Sequence, residues 1–412
     1  MFSDALQIIV APSGITDVPG FFAAASACDV RQKGDLKRKD VAVLFSKTPC
    51  SAAGVFTLND VKAAPVIQCL QVLESEKAVH GIIANSGNAN AVTGQQGAAD
   101  ADTMAELTES ELELPAGSVF VASTGRIGRL LPMDALKQGI TTACSAANES
   151  AKNGLAAADA ILTSDTRRKV DALTFKSSTG KTITLGGIAK GAGMIEPNMA
   201  TMLAFVATDA EIPSALLKQA LSEAVQGSFN RITVDGDMST NDTVLVLANG
   251  ASGCMIESAA HADYPLFVEA LKKICYELAF KIVSDGEKIT KVVTLEVTGA
   301  PSTEAADRVA RAIGNSLLVK SSWYGSDPNW GRIIDAAGYA RIGIDIEKVD
   351  LHYDTCAALI QGAPQEENDA TWKQIVANKH FTIRLNLNLG NYNTTLLSTD
   401  LTEAYVDFNR SE

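Results

Sequence analysis

Residues 190–205 read KGAGMIEPNMATMLAF: a lysine and glycines, then small and apolar residues with one hydroxyl, Thr201, set where an apolar strand begins. Threonine is common on half-buried strand surfaces, so Thr201 has a plain structural reading. It also has a chemical one. A threonine hydroxyl can attack the carbonyl before it, here that of Ala200, shift the acyl group from nitrogen to oxygen, and let water release the upstream chain. Thr201 then becomes an N-terminus. Its α-amine, with an ordinary pKa of about 7.7 to 8.0, supplies the general base that a lone threonine lacks. The stretch is not a phosphate loop, because no GK[ST] follows at the required spacing and GAGMIE stops short of GxGxxG.

Outward from this point, short apolar stretches of β character alternate with alanine-rich helical ones, without a fixed-period repeat. That pattern predicts a mixed α/β protein. Strands are expected at 81–84, 118–122, 202–207, 243–248, 292–297 and 381–387; the last, FTIRLNL, alternates and reads as half-buried. Three helices are expected to cover one face of a sheet. One is opened by Pro213, with Leu217, Ala220, Leu221 and Ala224 on its apolar side. A second follows Pro265, with Phe267, Ala270, Leu271, Ile274 and Leu278. The third follows Pro301, with Ala306, Val309, Ala310 and Ile313. The segment 361–370, QGAPQEENDA, reads as an exposed loop. At 412 residues the chain is longer than the roughly 250 to 300 at which a single core stops growing, so two domains or their equivalent are expected.

Composition narrows the function classes. Lys plus Arg total 35 against 48 Asp plus Glu, a net charge of -13, which argues against a nucleic-acid partner. The one basic cluster, Arg31, Lys33, Lys37, Arg38 and Lys39, is interrupted by Asp35 and reads as a solvated loop. No apolar run approaches a membrane span, and no Lys or Arg precedes Arg31, so a cytoplasmic protein without a basic targeting segment is expected. Seven cysteines, Cys28, Cys50, Cys69, Cys144, Cys254, Cys275 and Cys356, form no CxxC and read as reduced thiols. Four histidines, at 80, 261, 352 and 380, form no HExxH and no close pair. Neither structural zinc nor a histidine-based triad finds support, and no metal or cofactor is expected.

Four polar, glycine-punctuated stretches lie next to expected strands, where sites are commonly built. NSGNANAVTGQQG, 85–97, is rich in residues that accept positive φ and reads either as a strand-to-helix connection or as a stretch with a direct catalytic role. STGRIG, 123–128, follows the strand SVFVA. Its Thr-Gly pair can aim a hydroxyl and a backbone N–H at one point, as a developing oxyanion requires, or can form an ordinary turn. The opening stretch is the third. The fourth is SDGEK, 284–288, where Glu287 reads either as an amine-binding acid or as a surface acid in a turn. FNRITVDGDMSTNDT, 229–243, and SDPNWGRI, 326–333, are too polar for routine core.

Taken together these stretches resemble the ornithine acetyltransferase family of arginine biosynthesis. The resemblance rests on AAGVFT at 52–57, NSGNANAVTG at 85–94, STGRIGRLLPMD at 123–134, KGAGMIEPNMATML at 190–203, TVDGDMSTNDT at 233–243, SDGE at 284–287, DPNWGRI at 327–333 and DLTEAYVDFN at 400–409. It covers nearly the whole chain.

The resemblance implies self-cleavage between Ala200 and Thr201 into an α chain, 1–200, and a β chain, 201–412, assembled as an α2β2 heterotetramer. It makes Thr201 the acetyl-carrying nucleophile, Thr124 and Gly125 the oxyanion hole, and Thr163, Lys190, Thr201, Glu287 and Asn409 the substrate-binding residues. The implied reaction is a ping-pong transfer of acetyl from N-acetylornithine to glutamate, with acetyl-CoA as a second candidate donor. The implied fold is an α/β (α+β) protein: a two-layer β core flanked by helices, of αββα, N-terminal-nucleophile type, with a smaller second α/β domain. The sequence departs from the family pattern at Lys288, usually glycine, and at Arg126, usually smaller; Ser411 is the nearest substitute for a further hydroxyl beyond Asn409. Two other readings stay open at this stage. One is an N-terminal-nucleophile amidase or aminopeptidase that gives its acyl group to water. The other is a non-catalytic relative in which the motif is structural only.

Overall fold

The computed structural model describes residues 2–196 and 202–410. The chain divides into two compact units. The larger is drawn from Met1–Gly191, Pro197–Asn230 and Met238–Ile282, the smaller from Ala192–Glu196, Arg231–Asp237 and Val283–Glu412. Each unit takes residues from both sides of position 200/201.

The larger unit contains β1 (Gln7–Ile8), β2 (Phe21–Ser26), β3 (Val41–Phe56), α1 (Ala64–Glu74), β4 (Val79–Asn88), α2 (Gly94–Glu111), β5 (Val119–Arg126), α3 (Met133–Ala146), α4 (Ala151–Ala160), β6 (Lys169–Lys176), β7 (Thr182–Lys190), β8 (Leu203–Thr208), α5 (Ser214–Gln226), β9 (Thr243–Ala248) and most of α6 (Tyr264–Val283). Its strands run in the order β1-β6-β7-β8-β9-β3-β4-β5, with β2 added to β3. The long strand β3 is the joint. Residues 41–45 pair with β2 and β4, the register shifts between Phe45 and Cys50, and residues 51–56 pair with β9. One half of β3 belongs to each layer.

Alternation along the strands assigns each side chain to a layer. Ala42, Leu44, Ile82, Ala84, Phe120 and Ala122 face inward and share an apolar cluster with Leu203, Phe205, Ala207, Leu245 and Leu247 of β8 and β9. Their neighbours Val41, Val43, Ile83, Val119 and Val121 face outward and pack on Met104 of α2 and Leu136 and Ile140 of α3. On the other layer α6 lies directly against β7: a Cβ at Gly187 would stand 3.0 Å from Leu278 Cδ1. Lys281 of α6 donates to the carbonyl of Val170 at 2.6 Å. Helix, sheet, sheet and helix follow in that order, as expected.

The smaller unit contains β10 (Val292–Ala300), α7 (Thr303–Gly314), α8 (Leu317–Tyr324), α9 (Trp330–Gly338), β11 (Asp350–Tyr353), β12 (Cys356–Ile360), β13 (Ala363–Pro364), α10 (Asp369–Val376), β14 (His380–Asn386), β15 (Tyr392–Thr399) and α11 (Glu403–Asn409). Its sheet order is β13-β12-β11-β14-β10-β15, with β10 parallel to β14 and antiparallel to β15. Ser302 caps α7 by accepting the Ala305 N–H at 3.1 Å, and Ala306, Val309, Ala310 and Ile313 pack with Val293, Leu295 and Val297.

Three expectations need correction. The helices after Pro213, Pro265 and Pro301 do not cover one sheet: the first two belong to the larger unit, and α7 covers the sheet of the smaller one. Periodicity shows that a helix has an apolar face but not which sheet receives it. Segment 361–370 is exposed but not wholly loop, because it forms β13, a 3-10 turn and the start of α10. The basic cluster is not simply solvated. Arg31 Nη2 donates to the Thr163 carbonyl at 3.3 Å, and Arg38 Nη2 to the carbonyls of Leu162 at 2.5 Å and Thr163 at 3.2 Å. The seven cysteines are free. Among the described residues no helix is long and apolar enough to cross a membrane.

Candidate active site

The strand expected to stop at Ala122 continues to Arg126, because β4 runs parallel beside it and pairs Asn85 with Ser123 and Ser86 with Thr124. Thr124 and Gly125 therefore sit on a paired strand end rather than in a loose turn. Gly125 has φ 134°, where a side chain is strained, and a Cβ there would overlap the backbone of Gly87 and Asn88.

The asparagines of NSGNAN hold this end in place. Ser123 Oγ donates to Asn85 Oδ1 at 2.6 Å, and Asn85 Nδ2 to the Asn88 carbonyl at 2.9 Å. Asn88 Nδ2 donates to the carbonyls of Arg129 and Leu130 at 3.1 and 3.0 Å. From the polar run before β9, Asn241 Nδ2 reaches the carbonyls of Ala89 and Ser123 at 2.6 and 2.8 Å. All four amides and hydroxyls are buried, so each bond also satisfies groups that water cannot reach. Between its two open readings, 85–97 is the strand-to-helix connection. Gly87, Asn90, Val92 and Gly94 all adopt positive φ within it.

Lys190 ends β7 with its side chain 2% exposed. Its ammonium donates to Thr124 Oγ1 at 3.2 Å. A hydroxyl that accepts from an ammonium keeps its own proton for another acceptor and becomes a better donor. Asp165 sits behind the lysine. It accepts from Lys169 Nζ at 2.5 Å, from the Gly191 N–H at 2.7 Å and from the Thr163 N–H at 2.9 Å, and it lies 4.0 Å from Lys190 Nζ. Burial works against its carboxylate, but the ammonium groups of Lys190 and Lys169 outweigh it and hold the carboxyl well below the usual range. Thr163 joins the cluster through its N–H and, at 3.5 Å, its hydroxyl, both donating to Asp165 Oδ2, with its carbonyl under Arg31 and Arg38.

Ala200 and Thr201 lie outside the described residues. Met202, the residue after them, is buried, and its N–H donates to Asp242 Oδ1 at 3.1 Å.

Glu287 and Asn409 belong to the smaller unit. Glu287 is 9% exposed, which excludes the surface-acid reading. Its N–H donates to the Ala192 carbonyl at 2.9 Å, and its Oε2 accepts from Asn409 Nδ2 at 3.1 Å. Gly193 lies so close that a Cβ there would overlap the Glu287 carboxylate. Lys288 explains the glycine usual at its position: its φ is 56°, left-handed, and its Nζ stands 4.9 Å from the centre of the Phe408 ring. Ser411 lies outside the described residues.

Residue-by-residue reading missed Asp165, Asn241 and the two arginines. The signal for Asp165 was present in TSDTRRK, 163–169, as an acid two residues after Thr163 and just ahead of a strand that opens with Lys169. Nothing in the sequence places its carboxylate next to Lys190.

Comparison with known proteins gives these features a context. The ArgJ family profile matches residues 22–411. The arginine biosynthesis bifunctional protein ArgJ 1 of Clostridium acetobutylicum is 45% identical over 404 residues, covering 96% of this chain and 97% of its own. The bifunctional ArgJ of Thermotoga neapolitana is 44% identical over 398 residues, covering 95% and 98%. A crystal structure of ornithine acetyltransferase from Mycobacterium tuberculosis, complexed with ornithine, is 38% identical with a TM-score of 0.42, covering 47% of this chain and 98% of its own. With the profile spanning almost the whole sequence and the curated relatives aligned nearly end to end, the chain belongs to the ArgJ family.

Proposed function

We propose that this chain is a self-processing acetyltransferase that moves acetyl from N2-acetyl-L-ornithine to L-glutamate through an ester on Thr201. Family membership supports the reaction class. The observation that carries the reading is the Lys190 hydrogen bond to Thr124 Oγ1, beside the positive-φ Gly125 on a paired strand end.

In this reading Thr201 Oγ attacks the acetyl carbonyl carbon and its proton passes to the Thr201 α-amine. The carbonyl electron pair moves onto oxygen, where the Thr124 hydroxyl and the Gly125 N–H receive the charge. Lys190 strengthens the hydroxyl as a donor, and Asp165 keeps Lys190 in place. The C–N bond then breaks, the amine returns its proton to ornithine, and the acetyl group stays on Thr201. The α-amine of glutamate attacks the ester by the reverse steps. Thr163, Lys190, Glu287 and Asn409 are assigned to substrate binding. Cleavage at Ala200/Thr201 gives chains 1–200 and 201–412, paired as α2β2 in the cytoplasm. No cofactor enters the chemistry. The curated relatives are named bifunctional, which supports acetyl-CoA as a second acetyl donor to glutamate.

The test is an assay of the purified protein with acetylornithine plus glutamate, and separately with acetyl-CoA plus glutamate, following N-acetylglutamate and free acetate. Ornithine and acetylglutamate formed in equal amounts are expected. Acetate without acetylglutamate would replace this reading with a hydrolase. Thr201→Ala is expected to remain one chain by intact mass and to be inactive, whereas Thr201→Ser keeps part of both functions.

A further inference from the structure

The C-terminal helix α11 has seven residues and buries none of them. A helix so short and exposed is not held by propensity or by core packing, so its few polar contacts decide where it sits. Two of them tie it to the turn that carries Glu287. Thr402 Oγ1, at its N-cap, donates to the Lys288 carbonyl at 2.8 Å, and Lys288 Nζ stands over the Phe408 ring. A third leads elsewhere: Tyr405 Oη donates to Asp235 Oδ2 at 3.2 Å. Tyr405 and Asn409 share one face of α11 at i and i+4, so the bond that aims the first also aims the second. Asn409 Nδ2 then meets the Tyr405 carbonyl at 3.0 Å and Glu287 Oε2 at 3.1 Å.

Asp235 has a second task. Its Oδ2 also accepts the Met194 N–H and its Oδ1 the Ile195 N–H, both at 2.7 Å, while the Val234 N–H donates to the Ile195 carbonyl at 2.7 Å. These bonds hold Met194 at a left-handed φ of 57° and fix the short run before it. In that run Ala192 accepts the Glu287 N–H and Gly193 lies against the Glu287 carboxylate. One carboxylate thus braces Glu287 from two directions, through residues 192–195 and through α11.

We propose that Asp235 and Tyr405 are positioning residues for substrate affinity: their hydrogen bond docks α11 so that Asn409 holds the Glu287 carboxylate in one orientation for a substrate amine. This rests on the reading of Glu287 and Asn409 as substrate-binding residues. A carboxylate left to rotate must be ordered when substrate arrives, which weakens binding; one held beforehand need not be. Neither Asp235 nor Tyr405 enters the bond-making steps, so the effect falls on KM rather than kcat. Burial, and after it the Asp235 carboxylate, pushes the Tyr405 hydroxyl above its ordinary value, which keeps it a donor.

The experiment measures kcat and KM for acetylornithine, at saturating glutamate, in wild type, Tyr405→Phe, Asn409→Ala and the double variant, with processing read by intact mass. Tyr405→Phe is expected to process as wild type does and to raise KM about threefold or more, with a smaller change in kcat. In the Asn409→Ala background the same substitution should raise KM less, because the group it positions is already gone. Three results overturn the proposal: a smaller rise in KM, a fall in kcat that exceeds the rise in KM, or an equal rise in both backgrounds. A folded Tyr405→Phe that does not process also overturns it, since the role assigned is to binding alone. If Tyr405→Phe does not fold, Asp235→Asn decides by the same division between KM and kcat. Glu287→Ala run alongside separates the two ideas. A wild-type KM there removes Glu287 from substrate binding, whereas a raised KM there with an unmoved KM in Tyr405→Phe removes only the role of Asp235 and Tyr405.

Discussion

Replacing Asp165 with asparagine keeps the shape of the side chain and removes its charge. In the folded chain that charge faces Lys169, whose side chain is 0% exposed, and Lys190, at 2%. Both ammonium groups then remain buried without their shared counter-ion. Removing one partner of a buried ion pair costs about 3 to 5 kcal/mol, most of it the penalty of the stranded charge. The three tryptophans, Trp323, Trp330 and Trp372, all lie in the smaller unit, so fluorescence does not report on this site. Hydrogen exchange read by mass spectrometry on peptides from β6 and β7 does. At pH 7 a loss of that size lowers protection by about a hundredfold to several thousandfold. The acid dependence carries a sign. The folded pKa of Asp165 is depressed, so its stabilisation is present above the unfolded value of about 3.9 and fades as pH falls toward the folded value. The gap between wild type and Asp165→Asn should thus be full from pH 7 to about pH 5 and narrow below about pH 4. A gap under about 1 kcal/mol at pH 7, or one that widens on acidification, refutes the role of Asp165 as counter-ion.

Two further substitutions probe the site from the backbone. Gly125→Ala forces a methyl group into the backbone of Gly87 and Asn88 at φ 134° and should lower kcat about a hundredfold or more, with a melting temperature several degrees below wild type, measured by steady-state kinetics and calorimetry. Gly193→Ala pushes into the Glu287 carboxylate and should raise KM for acetylornithine about tenfold or more with a smaller change in kcat; an unchanged KM would separate Glu287 from substrate binding.

Some of this architecture was legible and some was not, for identifiable reasons. The strand at 243–248 matches its sequence limits because an apolar run there is bounded by Asp242 and Asn249. By contrast, Ser123, Thr124 and Gly125 carry no strand signal of their own. They continue β5 only because Asn85–Asn88 lie alongside, a pairing between segments far apart in sequence. Family motifs pointed to Thr124 and Lys190 separately, but a contact across 66 positions has no periodic trace. Asp165 and Lys169 have the spacing of a helical pair, yet Lys169 begins a strand and the two meet across a loop. The charge relation among Lys169, Asp165 and Lys190 exists only once β6 and β7 have paired.

The strand order of the larger unit decides what a cut at 200/201 does to the molecule. Downstream strands β8 and β9 are inserted between upstream strands β7 and β3, with six register pairs on each side. Halves severed there would stay woven together like the two sides of a zip closed twice. They would part only when both seams opened at once, so such a cut would free no fragment. The uncut precursor, in turn, finishes this sheet only after residue 248 has been synthesised, which ties any self-cleavage to a sheet already assembled on both sides of the scissile bond.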